Sequence, residues 1–189
     1  FKSIDAGLTW DLMKDNDVAG VQGWYSHDIA IHPTNPKFIS YVGQNVFLSD
    51  NSGSSYINVT SWDAQNMGRI PVGGVEGDTT IYVHADVHGT YFHPLRPEEI
   101  YFATDGGIFV GMDQGTHFQG RNGGYQTTQF YANFSSSKID PKFAIGGMQD
   151  NGTAIYDGMD GWIKVIGGDG MSTAINPTEN IIYGSYQNF

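Results

Sequence analysis

A proline corner and a glycine turn recur along this chain at nearly constant separation. Gly53 follows Pro33 by 20 residues, Gly115 follows Pro94 by 21 and Gly161 follows Pro141 by 20, each glycine lying in a short polar turn beside an aromatic residue. A fourth corner, Asn176-Pro177, continues the series, and successive corner prolines are 61, 47 and 36 residues apart. Self-similarity at a period of about 40 to 50 residues means a repeat architecture, in which one supersecondary unit cannot bury its apolar face alone and must stack on its neighbours.

The segments between the punctuating residues read as strands. With 26 glycines, 11 tyrosines, 11 phenylalanines and 4 tryptophans in 189 residues, the composition favours tight turns and strand-forming aromatics. Aligned on their corners, the units show a first strand at 28–32 and 90–93, ending at the proline. A second lies at 38–42, 100–103, 143–145 and 181–183, and a third at 46–48, 108–110 and 154–156. A weaker fourth strand, at 56–59 and 162–165, is expected at the outer edge, where short polar strands limit edge-to-edge pairing. Four antiparallel strands per unit are the blades of a β-propeller. The expected fold class is therefore all-β: a propeller of four-stranded antiparallel blades, about four of them in residues 1–189, forming one partial domain of a larger ring.

Residues 60–80, with Gly68, Pro71, Gly73, Gly74 and Gly77, break the period and read as an inserted loop. The chain starts at Phe1 as if in mid-strand and stops at Phe189 in a strand-like unit, so it reads as an excerpt of a longer protein. The alternative has the last strand pair beside the first and close a four-bladed ring.

Charge narrows the partners. Nine basic residues against 20 acidic ones give a formal charge of −11, and no basic stripe is present to follow a phosphate backbone, so nucleic acid is not an expected partner. No apolar run approaches the 18 residues of a membrane-spanning helix, and membrane insertion is not expected. Without cysteine the chain has neither disulfides nor thiolate metal ligands.

Ser3-Ile4-Asp5-Ala6-Gly7-Leu8-Thr9-Trp10 fits the pattern S-x-D-x-G-x-T-W in full. Ser49, Asn51, Gly53 and Tyr56 repeat it with Asn for Asp and Tyr for Trp, Asp113, Gly115 and Phe118 keep part of it, and residues 157–162 are degenerate. The pattern resembles the Asp box of BNR-repeat propellers such as sialidases, sortilin-type receptors and xyloglucanase-like enzymes. With His84-Ala85-Asp86-Val87-His88, Thr104-Asp105-Gly106-Gly107 and Gly167-Gly168-Asp169-Gly170, the chain is similar to sortilin-like or glycosyl-hydrolase-like repeat proteins secreted by bacteria. The resemblance implies a ring of seven or more blades, the remaining blades of the parent chain as partners, and a secreted or cell-surface location. It also implies that the boxes lie at the periphery, away from the ligand. Turn chemistry alone explains their residues, because the carboxylate accepts amides of its own turn and the glycine permits positive φ. They are poor catalytic candidates.

Antiparallel alternation places the turns between second and third strands, and the starts of the first strands, at the other end of each sheet. That end collects the candidate ligand-binding residues His27, Asp28, His84, Asp86, His88, Asp105, Gln149, Asp150, Asn151, Asp169 and Gln187. Asp-Gly-Gly and Asp-Asn-Gly are also strong hairpin signals, so Asp105, Asp150 and Asn151 have a purely structural reading beside the functional one. His84, Asp86 and His88, at i, i+2 and i+4, would share one side of an extended strand and suit a divalent cation or a proton relay. The alternative is that they line a watery channel.

Two classes of function follow, and a third stands behind them. The first is an extracellular module that recognises a glycan or another protein through the channel face. The second is a glycoside hydrolase of the xyloglucanase-like kind, with two of Asp86, Asp105, Asp150 and Asp169 as carboxylates about 5 to 10 Å apart. The third is a structural or protein-docking propeller. A sialidase is disfavoured: the resemblance would require three arginines gripping the substrate carboxylate, and Arg69, Arg96 and Arg121 are scattered over the inserted loop, a corner and a turn. No G-x-S-x-G elbow supports serine chemistry.

Overall fold

The computed structural model describes residues 1–64, 67–69, 81–123, 125 and 128–188. Among them fifteen strands build four antiparallel sheets, and there is no helix. The chain divides into two compact units, Phe1–Ala64 with Asp78–Gly120, and Gln65–Gly77 with Arg121–Phe189.

In the first unit β1 (Asp28–Ile31), β2 (Ile39–Val42), β3 (Val46–Ser49) and β4 (Ile57–Asn58) form one sheet in chain order. After β5 (Gly68–Arg69), which belongs to the second unit, β6 (Val87–Phe92), β7 (Ile100–Thr104), β8 (Gly107–Met112) and β9 (His117–Gly120) form another. Period-2 alternation sends Val42, Val46 and Leu48 to the face that meets Val87, Ile100, Phe102, Phe109 and Phe118, and this is the core of the unit. Each such side chain, fully removed from water, stabilises the fold by about 1.5–3 kcal/mol. Within this contact the Ser40 and Thr90 hydroxyls are hydrogen-bonded at 2.7 Å, and the Thr90 amide donates to Asp28 Oδ2 at 3.0 Å.

The second unit holds β10 (Phe134–Ser136), β11 (Ala144–Met148), β12 (Gly152–Tyr156) and β13 (Ile163–Ile166), with β14 (Gly170–Ile175) and β15 (Ile182–Tyr186) as a separate pair. The expected outer strand at 162–165 is not the edge here. Arg69 and Gly68 of β5 pair with Ile163 and Lys164 of β13, so part of the 60–80 segment is a fifth strand. Side chains hold it there: the Arg69 guanidinium grips both carboxylate oxygens of Asp157 and donates to the Asp160 and Gly161 carbonyls. Residues 65, 66 and 70–80 of the expected insert lie outside the described residues, as does Phe189, on which the ring-closing alternative depends.

The corners and glycine turns have recurring chemistry. His32 Nδ1 accepts the amides of Thr34 and Asn35, and His93 Nδ1 those of Leu95 and Arg96. Ser137 Oγ accepts from Ile139 and Asp140, and Asn176 Oδ1 from Thr178. In the turn at Ser3, the serine hydroxyl accepts the Gly7 amide at 2.8 Å and donates to Asp5, which in turn accepts the Thr9 amide at 2.9 Å. The turn at Ser49 copies it, with Gly53 on Ser49 Oγ at 2.9 Å and Ser55 on Asn51 Oδ1 at 2.9 Å. Gly7 and Gly53 have φ of 89° and 85°, a region open to glycine and strained for most other residues. At Gly111 there is no hydroxyl, and the Met112 carbonyl closes the turn onto the Gly115 and Thr116 amides. The Ser52 amide donates to Lys37 and that of Gln114 to Glu98, so glycine turns and proline corners share one end of their sheets.

Candidate functional site

At the opposite end of the first unit, the chain enters β6 through Asp86. This residue has φ of 57°, and the β6–β7 register shifts between Val87 and Gly89. Both features break the alternation on which the spacing of His84, Asp86 and His88 was read, so the three do not share one face of a strand. His84 is buried, with its ring against Gly106: a Cβ there would lie 2.2 Å from His84 Cδ2. His88 instead reaches the β7–β8 turn, where Nε2 lies 2.9 Å from Asp105 Oδ1. The other oxygen of Asp105 accepts the Tyr25 hydroxyl at 3.2 Å, and the Tyr25 ring stands edge-on to His88 with centroids 4.9 Å apart. Trp24 flanks Tyr25 at 5.8 Å and is 82% exposed.

Asp86 is the unusual group. Its Oδ1 is buried without a hydrogen-bond partner, and a carboxylate oxygen lies within 4.8 Å of one from Asp105. Burial, and then the neighbouring Asp105 charge, push its carboxyl above the ordinary value; His84, His88 and the Ser26 hydroxyl pull the other way. Ser26 is 0% exposed and faces Asp86, yet Ser26 Oγ also lacks a partner at hydrogen-bond geometry.

In the second unit the candidate residues are engaged in building the backbone. Asp169 Oδ1 accepts the amide of Asp150 at 2.9 Å, and the Asp169 amide donates to Gln187 Oε1 at 2.8 Å. Asn151 Nδ2 donates to the Gln149 carbonyl within the same turn. Asp150 has φ of 61°, as its hairpin position requires. Of the remaining candidates, Asp28 clamps Thr90 and His27 is exposed.

Sequence reasoning passed over Trp24, Tyr25 and Ser26. They lie in the irregular stretch before β1, where no strand period draws notice; the adjacent aromatic pair at the mouth of a strand was the available signal.

No protein-family model matches the chain, and no curated protein matches it. Among solved structures it is similar to an ancestral GH74 enzyme at 11% identity and a TM-score of 0.26, a match covering 81% of this chain and 28% of that one. The chain thus spans under a third of the length of that structure.

Proposed function

We propose that the chain is part of a secreted or cell-surface bacterial β-propeller that recognises a glycan through Trp24, Tyr25, His88 and Asp105. The observation that carries this reading is an exposed aromatic pair set beside a hydrogen-bonded imidazole and carboxylate. Aromatic faces offer an apolar platform to a sugar ring, and convergent polar groups fix its hydroxyls. Repeated proline corners, glycine turns and four-stranded sheets support the propeller. A glycan array on the full-length protein tests the reading, beside Trp24→Ala and His88→Ala. Binding that either variant abolishes supports it, and a blank array with folded protein sinks it.

A second reading, glycoside hydrolysis, is favoured by one observation. Asp86 and Asp105 are close and sit in unlike surroundings, which is how one carboxyl is kept as acid and the other as base or nucleophile. Release of reducing sugar, lost in Asp86→Asn, would move the function to this class.

A further inference from the structure

We propose that the outer edge of β13, with Asp157 and the carbonyls of Asp160 and Gly161 at its end, is a docking edge for the arginine-bearing strand of a second copy of this chain. In the structure that edge is taken in cis by β5, whose Arg69 pairs with Ile163 and whose Gly68 pairs with Lys164. The occupant shows what the seat selects. A strand joins an open sheet edge through main-chain hydrogen bonds, and a side-chain pocket decides which strand is accepted. Here the pocket takes a guanidinium. Arg69 Nη1 donates to Asp157 Oδ1 at 3.2 Å and to the Gly161 carbonyl at 3.0 Å, while Nη2 reaches the other carboxylate oxygen. A planar fork on a carboxylate, with carbonyls beside it, is a fit that lysine cannot reproduce.

The occupant is held lightly and the seat firmly. β5 has two residues and no apolar anchor: Met67 beside it is 51% exposed, and a Cβ on Gly68 would meet nothing within 4 Å. In contrast β13 is pinned by Trp162, whose ring centroid lies 5.6 Å from that of Phe130 and 5.5 Å from that of Tyr156, and by the buried Lys164. The pairing with β5 stops at Lys164, although β13 runs on to Ile166 and Val165 is exposed. The turn that carries the seat also departs from its repeats in the way the seat requires. Asp157 stands where Ser3 and Ser49 stand in the other turns, four residues before the glycine. Those serine hydroxyls accept the glycine amide of their own turn, whereas the Asp157 carboxylate faces Arg69. Because seat and strand belong to one chain, exchange between two copies is reciprocal, each Arg69 entering the other's seat.

Cis occupation opposes exchange, since a tethered segment acts at an effective concentration on the order of millimolar, and wild type should be monomeric in dilute solution. Complementation in the analytical ultracentrifuge tests the proposal on the full-length protein. Arg69→Ala keeps the seat and loses the fork; Asp157→Asn keeps the fork and loses the charge of the seat, with an oxygen left to cap the Met159 amide. Both side chains are about a third exposed, at 35% and 30%, so the variants should fold, which thermal melts check. At a total concentration on the order of millimolar, the equimolar mixture should contain several times more dimer than either variant alone. A mixture that sediments as the sum of its components overturns the proposal. So does self-association of Arg69→Ala equal to that of the mixture, because the arginine would then not be what is recognised. As a second readout, a labelled peptide of residues 64–71 is titrated with the Arg69→Ala protein and followed by fluorescence anisotropy. It should bind at least about tenfold more tightly than the same peptide carrying Arg69→Ala, since a charged hydrogen-bonded pair is lost. Equal affinities, or no binding by either peptide, overturn the assignment of the seat.

Discussion

The two units repeat one construction and differ at one carboxylate. In each, the first strand of the second sheet carries a buried threonine clamped by a residue at or just before the start of the first sheet: Asp28 takes the Thr90 amide, and Asn133 takes the Thr173 amide at 2.6 Å while donating to the Thr173 carbonyl at 2.8 Å. A register irregularity stands just before each threonine, after the pairs Val87–Thr104 and Gly170–Tyr186. That registration makes Asp86 equivalent to Asp169. Asp169 caps the amide of Asp150, whereas the matching amide in the first unit, that of Gln44, donates to the Ala19 carbonyl at 3.1 Å. The segment carrying Ala19 lies so close that a Cβ on Gly43 would stand 2.5 Å from the Ala19 oxygen. One added strip of chain thus takes over the capping task and leaves Asp86 with a buried, unpartnered oxygen. A repeat acquires a chemically available group when a neighbour relieves that group of its structural work.

The packing of the units differs too, and the largest expected effects lie there. Phe102→Ala should destabilise the first unit by about 3–5 kcal/mol, the usual loss for a phenylalanine enclosed in a large-side-chain core. The second unit relies on close backbone approach: a Cβ on Gly170 would lie 2.1 Å from the Gly152 oxygen, and one on Gly147 would lie 2.2 Å from that of Met171. Gly170→Ala should therefore cost about 1–3 kcal/mol, since the neighbour is backbone and cannot swing aside. Urea unfolding of both variants checks this, and a neutral Gly170→Ala would break the contrast.

The clamps should be alike. Asp28→Ala and Asn133→Ala each strand a buried threonine amide, at about 1–3 kcal/mol apiece. If denaturation midpoints show only one of them to matter, the units do not share the construction.

The carboxylates should differ in sign. Asp169→Ala removes the cap on Asp150 and should cost about 1 kcal/mol. Asp86→Asn should raise the melting temperature at neutral pH, because the folded state holds this carboxyl above its ordinary value and the charged form is disfavoured. The sign follows from linkage: a raised carboxyl binds its proton more tightly when folded, so stability increases as pH falls from neutral through the folded value toward the ordinary 3.8. Melting temperature against pH should show that rise in wild type and a smaller one in Asp86→Asn. A lower neutral-pH melting temperature in the variant would refute the account of Asp86 as unsatisfied.

Much of this was legible in the chain. The second and third strands stand out because central strands are apolar enough to carry their own signal, as in 39–42 and 100–104. β10 and β14 were missed because Phe134-Ser135-Ser136 and Gly170-Met171-Ser172-Thr173 are polar: their hydroxyls serve the clamp between sheets, which no local period reveals. β5 was read as loop because Gly68-Arg69 has no strand propensity, and its pairing depends on an arginine finding Asp157, 88 residues away. At the site, Asp86, His88 and Asp105 were singled out, but their geometry was misread, since nothing in His-Ala-Asp-Val-His announces a left-handed aspartate. The burial of Ser26 is a tertiary fact with no sequence mark.

The smallest expected effect separates the two matched turns of the first unit. Asp5 accepts the Thr9 hydroxyl at 2.6 Å as well as the Thr9 amide, and these bonds, with that from Ser3, hold its carboxyl down at about 2 against an ordinary 3.8. A depressed carboxyl contributes stability that is present above the ordinary value and lost as pH falls from about 4 through about 2. Asn51 makes the same turn without a charge, accepting the Ser55 amide through Oδ1 and donating to the Ser55 hydroxyl through Nδ2 at 2.7 Å. Asp5→Asn should therefore leave the melting temperature at pH 7 almost unchanged, because Thr9 can reverse its hydroxyl as Ser55 does, and should flatten its dependence on acid between pH 4 and 2. Partial solvent exposure keeps the effect small at either pH. If the variant melts several degrees lower at pH 7, the charge of Asp5 matters beyond its turn, and the equivalence of the two turns fails.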